Sequence, residues 1–188
     1  RLPVNSVESG PAAGVIAAQL VGAQLGETNL ISFDMGGTTA KASLIRDGQI
    51  EVTADYEVGG TGSQNRWVTG SGHPIRVPVI DLAEVSAGGG SIAWIDPAGS
   101  LRVGPHSAGA EPGPVCYGQG GDQPTVTDAN LVLKRLDPEK FAGGSMVLDS
   151  ASAIQVVKKA VGDPLGVTTT EAAQAIIEIV DENMASAA

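Results

Sequence analysis

The sequence predicts an α/β domain, and three features lead to this prediction. Short alternating segments between about residues 29 and 58 indicate a β-meander. A helical segment precedes the meander at residues 11–25, with Pro11 in its first turn and Gly26 at its end. Another helical segment runs from Thr169 to about Ala185. The 188 residues suffice to bury one core, so we predict a single domain over residues 1–188.

Composition narrows the classes of partner. The chain carries 11 Lys and Arg against 21 Asp and Glu, a formal net charge of −10. Nucleic acids and anionic membrane surfaces attract clustered cations, so this balance argues against both as partners. No apolar run approaches the roughly 18 residues of a membrane-spanning helix. Cys116 is the only cysteine and excludes an internal disulfide, which favours the cytoplasm.

The meander contains a glycine turn at the tip of a hairpin. One strand ends at Asp34, Gly36 and Gly37 form the turn, and the next strand runs through residues 41–46 to an Asp-Gly hairpin dipeptide. A Walker A loop would instead lead into a helix and carry Gly-Lys-Ser/Thr, and a dinucleotide fold would carry G-x-G-x-x-G before a helix. Neither pattern occurs here.

The residue types of this turn predict a nucleotide-phosphate site. Gly36 and Gly37 lack Cβ atoms, so a phosphate can approach their backbone N–H groups. The hydroxyl groups of Thr38 and Thr39 add donors, and Asp34 has the carboxylate to hold a hydrated divalent cation. The alternative is a β-turn that uses two glycines for its geometry alone. Lys41 lies just after the turn, and it is either a phosphate ligand or a solvated residue of the hairpin.

Glycines cluster again in the middle of the chain, at residues 59–72, 88–90 and 104–121. We predict a glycine-rich, loop-rich insertion over about residues 59–125. Within it we expect a loop at 59–72, an edge or bulged strand at 75–81, and a hairpin of residues 91–95 and 101–104.

The remaining predicted elements are helices. We expect the helix at 11–25 to pack closely through its small residues, which are Ala12, Ala13, Gly14, Ala17 and Ala18. Thr127 or Asp128 caps a short helix that reaches Leu136, and Asp149 or Ser150 opens a helix through about Val161. Thr168 and Glu171 have the spacing of a capping box. The last helix carries an apolar stripe: Ala172, Ala173, Ile176, Ile177, Val180 and Met184.

The ordered motifs resemble the hydantoinase A / 5-oxoprolinase family, which includes subunits of acetone and acetophenone carboxylases. Asp-Met-Gly-Gly-Thr-Thr at residues 34–39 resembles the phosphate hairpin of the actin, sugar-kinase and heat-shock ATPase superfamily. The family resemblance spans about Ser6 to Met184. Its other motifs are Ser-Gly-Pro-Ala-Ala-Gly-Val at 9–15, Ala-Gly-Gly-Gly-Ser-Ile-Ala-Trp at 87–94, Gly-Pro-His-Ser-Ala-Gly-Ala at 104–110, Pro-Gly-Pro-Val-Cys-Tyr-Gly at 112–118 and Pro-Thr-Val-Thr-Asp-Ala at 124–129.

The resemblance implies a ribonuclease H-like, actin-type ATPase core: a mixed sheet opened by a β-meander, with flanking helices and the glycine-rich insertion. It implies that Asp34 helps to hold Mg²⁺ through water and acts in catalysis. The ATP phosphates would contact the turn residues, which are Gly36, Gly37, Thr38 and Thr39. A second loop of Gly88, Gly89 and Gly90 would bind phosphate or substrate, and its alternative is a tight β-turn.

The resemblance also implies an activity. ATP would phosphorylate the carbonyl oxygen of a cyclic amide, and water would then open the ring. Alternatives are the ATP-dependent subunit of an acetone-type carboxylase acting on a ketone, a small-molecule kinase of the same superfamily, and a non-catalytic partner-binding module. The expected partner is a hydantoinase B-type subunit or a fused domain. Relatives carry further glycine-rich segments on both sides, so we expect a fragment of a longer chain, inactive by itself.

Four more residues have two interpretations each. His106, Cys116 and Asp128 form a conceivable zinc site, but the sequence has no C-x-x-C and no H-x-x-x-H. Solvated loop residues are the alternative for His106 and for His73. Cys116 is a nucleophile or an inert buried thiol, and the latter is the more common state. Asp128 is a helix cap or a site residue.

Overall fold

A computed structural model describes residues 3, 8–53, 56–58, 73–75 and 78–186, with the backbone alone for 56–58 and 73–75. Backbone contacts divide the chain into two compact units. Unit 1 comprises Arg1–Met35, Ala40–Val85 and Ala187–Ala188, and unit 2 comprises Gly36–Thr39 and Ser86–Ser186. The α/β class is confirmed, since the described residues contain both helices and strands: one helix comes first, ten strands follow, and the remaining elements are helical. The single domain over residues 1–188 stays a prediction.

Unit 1 consists of one helix and short strands. Helix α1 is followed by β1 and β2, which form a long hairpin, and then by six strands of two or three residues. The bounds are α1 Ser9–Leu25, β1 Leu30–Met35, β2 Ala40–Arg46, β3 Gln49–Ile50, β4 Val52–Thr53, β5 Tyr56–Val58, β6 His73–Ile75, β7 Val79–Ile80 and β8 Ala83–Val85.

The four-stranded sheet of unit 1 is built around β2, and two separate two-stranded sheets pair β4 with β7 and β5 with β6. Strand β1 pairs with β2 from Leu30 opposite Ile45 to Met35 opposite Ala40. The other edge of β2 pairs with β3 and with β8. All strand pairs within the described residues are antiparallel. The Asp47-Gly48 turn has positive φ angles of 50° and 71°, the geometry expected for this dipeptide in a two-residue hairpin.

Helix α1 packs against β1 differently from the prediction. It ends at Gly26, which adopts the expected left-handed conformation with φ 77°. Ala13, Gly14 and Ala17 are exposed, so the predicted small-residue contact is wrong for them. The close approach lies further along the helix, where a Cβ on Gly22 would come within 2.3 Å of a Leu30 side-chain carbon.

Unit 2 combines one hairpin with helices. The predicted hairpin is present, with a return strand three residues longer than expected. The bounds are β9 Ser91–Ile95, β10 Leu101–Ser107, α2 Val126–Val132, α3 Ser150–Val157, α4 Asp163–Leu165 and α5 Thr169–Ala185, with 3-10 turns at Val115–Tyr117 and Phe141–Gly144 and a π-helical segment at Lys158–Gly162.

The helices of unit 2 enclose its core. The predicted stripe of α5 is buried from Ala172 to Val180, and Met184 is half-buried. Thr168 and Glu171 form the predicted capping box at its start, and Asp149 caps α3 as expected. The other helical segments also contribute buried residues to unit 2, which are Val126, Ala129, Val157 and Val161. Leu131 and Ala153 pack with Cys116 and Leu148 in a cluster of their own.

Helix α2 and the segment before β8 differ from the prediction. Helix α2 begins at Val126 and ends at Val132, and its N-cap is Thr125, because the Thr125 hydroxyl accepts the Asp128 N–H. The prediction of Thr127 or Asp128 as the cap, and of an end at Leu136, is therefore wrong. In place of the one strand predicted at 75–81, the structure has two short strands, β6 at its start and β7 near its end. The loop predicted at 59–72 lies outside the described residues. No helix in the described part of the chain has the length and apolar character needed to cross a bilayer.

Candidate functional site

The glycine turn at the hairpin tip, Gly36–Thr39, belongs to unit 2, and we call it the tip turn. The Gly36 N–H donates a hydrogen bond of 2.9 Å to the Thr39 carbonyl and closes the turn. Gly36, Gly37 and Thr38 are exposed, and Thr39 is half-buried. The predicted phosphate turn is therefore a closed turn with an exposed backbone.

A second glycine turn, residues 88–91, lies against the tip turn, and we call it the support turn. The Gly89 N–H donates to the Gly36 carbonyl at 3.0 Å, and the Gly90 N–H donates to the Gly37 carbonyl at 2.6 Å. The Gly88 N–H donates to the Ser91 hydroxyl at 2.9 Å. All three predicted donors of this loop are thus engaged within the protein.

These hydrogen bonds fix the direction of two further N–H groups. In a trans peptide the C=O and the following N–H point in opposite directions. The cis bonds found among the described residues lie elsewhere, before Pro105 and Pro112. Because the Gly36 and Gly37 carbonyls face the support turn, the N–H groups of Gly37 and Thr38 point away from it. No acceptor among the described residues takes a hydrogen bond from either group, so two adjacent donors are open to a ligand.

The glycines of the two turns differ in the space around them. A Cβ on Gly88 would lie 2.7 Å from backbone atoms of Gly36 and Gly37, and a Cβ on Gly90 would lie 2.8 Å from the Ser107 hydroxyl. A Cβ on Gly37 would meet no atom within 4 Å, and its φ is outside the left-handed region. The protein itself therefore requires glycine at position 88, whereas at position 37 it leaves room that a ligand can fill.

Helix α2 holds the support turn in place through its second residue. The backbone N–H and the hydroxyl of Thr127 both donate to the Gly89 carbonyl, each at 2.8 Å. The segment before the helix is fixed to β9, since the Ala93 N–H donates to the Pro124 carbonyl at 2.8 Å. The sequence predicts only a capping role for Thr127, and this contact with a residue 38 positions away has no local signal.

Asp128 is a fully buried carboxylate with four donors. Its Oδ1 accepts the Cys116 N–H at 2.8 Å. Its Oδ2 accepts the N–H and hydroxyl of Thr125 at 2.9 and 2.8 Å, and the Val115 N–H at 3.3 Å. Charge-assisted hydrogen bonds of this kind replace the water that a buried carboxylate loses. Asp128 is not the N-cap, but as the third residue of α2 it completes the capping box with Thr125, and its side chain has no exposed surface for a ligand.

Cys116 lies beside this carboxylate and is fully buried. Burial raises the pKa of its thiol far above the usual range, and the negative charge of Asp128 raises it further. The residue therefore stays protonated, which supports the inert thiol over the nucleophile. Burial likewise raises the pKa of the neighbouring Tyr117, and the Thr127 hydroxyl partly offsets this.

Asp34 lies near the end of β1 in unit 1, opposite Lys41 of β2. It is exposed, and within the described ranges no hydrogen bond or ion pair engages its carboxylate. The Lys41 ammonium forms a salt bridge with Glu8 and a longer one, 3.7 Å, with Glu84. Neither predicted role of Lys41 is observed: it is a largely buried member of an ion network with Glu8 and Glu84.

The conceivable zinc site is not formed. His106 is exposed on β10, whereas Cys116 and Asp128 are buried. In the part of the chain that the structure describes, no three His, Cys, Asp or Glu residues are placed to hold a metal ion together. The His73 side chain lies outside the described residues.

Known proteins are similar to this chain in sequence and in fold. The hydantoinase/oxoprolinase family matches residues 1–188. An uncharacterised protein of Methanocaldococcus jannaschii is 52% identical over 98% of this chain and 27% of its own length. The acetophenone carboxylase gamma subunit of Aromatoleum aromaticum is 40% identical over 97% of this chain and 24% of its own length.

A solved structure agrees with these similarities. The crystal structure of the ATP-dependent caprolactamase from Pseudomonas jessenii superposes with a TM-score of 0.76 and 39% identity, covering 98% of this chain and 25% of that one. The chain thus spans about a quarter of the length of these three proteins. The match over its full length and these identities show that the chain belongs to the hydantoinase/oxoprolinase family.

Proposed function

We propose that this chain supplies the phosphate-binding turn of an enzyme that uses ATP to open a cyclic amide. The observation that supports the proposal most strongly is the pair of outward N–H groups at Gly37 and Thr38, held by hydrogen bonds on the opposite side of their peptide planes. Donors fixed before the ligand arrives bind an anion without the cost of reordering the backbone.

The surroundings of the tip turn suit a phosphate. The open space at Gly37 lets an oxygen approach the backbone closely, and the Thr38 and Thr39 hydroxyls are further donors in the same turn. Lys41 is engaged by Glu8 and Glu84. A bound polyphosphate therefore needs another source of positive charge, which a divalent cation provides.

Asp34 suits that cation. Mg²⁺ is commonly held by one or two carboxylates together with phosphate oxygens and several waters. An exposed carboxylate without a protein partner meets this need, and a cage of several ligands is not required. We propose that Asp34 orders a hydrated Mg²⁺, and that the β1–β2 hairpin is part of an actin-type ATPase core.

When bound, ATP would supply the phosphoryl group that makes an amide carbonyl reactive toward water. The contribution of this chain is to position and neutralise phosphate oxygens by backbone donors, which is the main form of catalysis in phosphoryl transfer. The family description and the similarity to an ATP-dependent caprolactamase favour a cyclic amide as the substrate. Similarity to an acetophenone carboxylase subunit keeps ATP-driven ketone carboxylation as the second candidate. In both cases we propose a B-type subunit or domain as the partner.

The proposal is tested with Gly37→Ala in the complete protein, with a B-type subunit if one is required. The matched control is Gly14→Ala, because a Cβ on Gly14 also meets no atom within 4 Å and its φ is outside the left-handed region. Gly37→Ala should weaken ATP binding at least about tenfold, the effect of about 1.4 kcal/mol of lost contact, with an unchanged melting temperature. Gly14→Ala should leave ATP binding unchanged and should, if anything, raise the melting temperature, because Ala is the better helix former inside α1.

Substrates are distinguished by ATP hydrolysis in the presence of each candidate. Stimulation by a lactam, a hydantoin or 5-oxoproline supports the cyclic amide, and stimulation by a ketone with bicarbonate supports the carboxylase. Stimulation by none of them, or full ATP affinity in Gly37→Ala, would refute the proposed function.

A further inference from the structure

We propose that Thr127 is a positioning residue for the tip turn and that its hydroxyl sets the ATP affinity without touching ATP. This inference rests on the proposed function, since it assigns a residue that acts on the same phosphate-binding donors. The starting observation is that Thr127 directs two hydrogen bonds, from its N–H and from its hydroxyl, to the carbonyl of Gly89.

The contact is carried to the tip turn by one peptide unit. The Gly89 carbonyl and the Gly90 N–H belong to the same planar group, so fixing the carbonyl also fixes the N–H on the other side. That N–H donates to the Gly37 carbonyl at 2.6 Å. Thr127 therefore fixes the donor that holds the tip turn.

A second peptide unit carries the effect to the ligand side. The Gly37 carbonyl and the Thr38 N–H belong to one planar group, and the carbonyl is engaged by Gly90. The Thr38 N–H therefore points to the open side in a direction that Thr127 fixes through two peptide planes. Hydrogen bonds in such a chain also polarise one another, so each carbonyl that accepts makes the N–H of its peptide a stronger donor.

The packing leaves the support turn little freedom to replace this contact. A Cβ on Gly89 would lie 2.9 Å from the Thr127 hydroxyl oxygen. Thr127 is 8% exposed, so water is largely excluded from the place of its hydroxyl. Losing this hydroxyl would remove one of the two donors of the Gly89 carbonyl while the backbone donor remains, so we expect altered positioning and not a lost fold.

The test uses three variants of the complete protein, with ATP dissociation constants from calorimetry and KM values for ATP and for the amide. Thr127→Val keeps the branched shape and removes the hydroxyl. It should raise the dissociation constant and KM for ATP about five- to tenfold, the usual worth of one hydrogen bond, and leave the KM for the amide unchanged. Thr127→Ser keeps the hydroxyl and should restore ATP affinity to within about twofold of the wild-type value.

The matched control is Thr125→Val. It removes a buried hydroxyl from the same helix start, but that hydroxyl bonds to Asp128 and not to the support turn. It should lower the melting temperature and leave ATP affinity within about twofold of the wild-type value. An equal loss of ATP affinity in the Thr125 and Thr127 valine variants would show a structural role only and overturn the inference.

The test separates this inference from the proposed function. Weakened ATP binding in Gly37→Ala together with unchanged binding in Thr127→Val would overturn the positioning role and leave the phosphate turn intact. Unchanged binding in Gly37→Ala would refute the phosphate turn, and the positioning role with it.

Discussion

The tip turn, Gly36–Thr39, and the support turn, residues 88–91, lie against each other in unit 2, and each contains adjacent glycines. In the support turn, the N–H groups of Gly88, Gly89 and Gly90 are engaged within the protein. In the tip turn, the N–H groups at positions 37 and 38 point outward. The donors of the support turn therefore bond within the protein, whereas two donors of the tip turn have no acceptor among the described residues.

The two turns also show two reasons for glycine. At Gly88, a side chain would collide with the backbone of the tip turn at 2.7 Å, so the fold requires glycine. At Gly37, neither a collision nor a left-handed φ requires it. A glycine that the fold does not need is better explained by close approach of a ligand, and substitutions at the two positions should consequently have different effects.

Two carboxylates extend this comparison, the exposed Asp34 and the buried Asp128. Of the predicted substitutions, Asp34→Ala should give the largest effect. Asp34 has free oxygens near the end of β1. Its removal should lower substrate-coupled ATP hydrolysis at least about a hundredfold, since a metal ion contributes several kcal/mol to charge stabilisation, without a change in melting temperature. Asp181→Ala removes another exposed carboxylate, on α5, and should be silent. Unchanged turnover in Asp34→Ala would remove Asp34 from the mechanism.

Asp128→Ala should show the opposite pattern, with a loss of stability first. Four donors around Asp128 would lose their acceptor in a site that excludes water. We expect a loss of about 3–5 kcal/mol in the free energy of unfolding, because each unpaired buried donor costs about 1–3 kcal/mol. Denaturant titration of the complete protein measures it. Asp149→Ala removes an exposed helix cap and should lower the free energy of unfolding less. Equal losses in the two variants would contradict the idea that burial makes the Asp128 hydrogen bonds more important for stability.

Gly88→Ala should affect stability and binding together. The added methyl group meets backbone atoms of Gly36 and Gly37, which cannot rotate away as a side chain can. We expect a destabilisation of about 1–3 kcal/mol, as for other overpacked sites, and weaker ATP binding because the tip turn must shift. Melting temperature and ATP affinity measured on the same preparation give the test. A normal melting temperature with weak ATP binding would make the support turn a direct ligand contact instead.

Sequence alone predicted the elements whose signals are local. The Asp-Gly hairpin, the capping box of Thr168 and Glu171 and the apolar stripe of α5 depend on residues within a few positions of each other. The family was also accessible, because its motifs lie in a fixed order along the chain. These predictions are confirmed by the structure and by the similarity to known proteins.

The support role of residues 88–91 could not be predicted, because it depends on contacts with positions distant in the chain. The same holds for Lys41, whose partners Glu8 and Glu84 come from other elements. The cap of α2 was misplaced because both Thr125 and Thr127 have suitable hydroxyls, and only the structure shows that one bonds to Asp128 and the other to Gly89. Composition identifies such donors, but not their acceptors.

The smallest effect is expected in unit 2 at the exposed capping box of Thr168, in contrast to the buried capping box of Thr125. Hydrogen bonds from the Thr168 hydroxyl and N–H lower the pKa of Glu171 from its ordinary value of 4.5. A lowered folded-state pKa stabilises the protein above the unfolded-state pKa, and this contribution is lost as the pH falls through the folded-state value. Glu171→Gln should therefore flatten part of the stability loss between about pH 5 and pH 3.

Hydrogen exchange at the start of α5, compared with the wild type at each pH, measures this. The first turn of the variant should exchange faster than that of the wild type at pH 7, and the two should converge near pH 3. A constant difference across this range would show that the Glu171 carboxylate does not stabilise the helix through its charge.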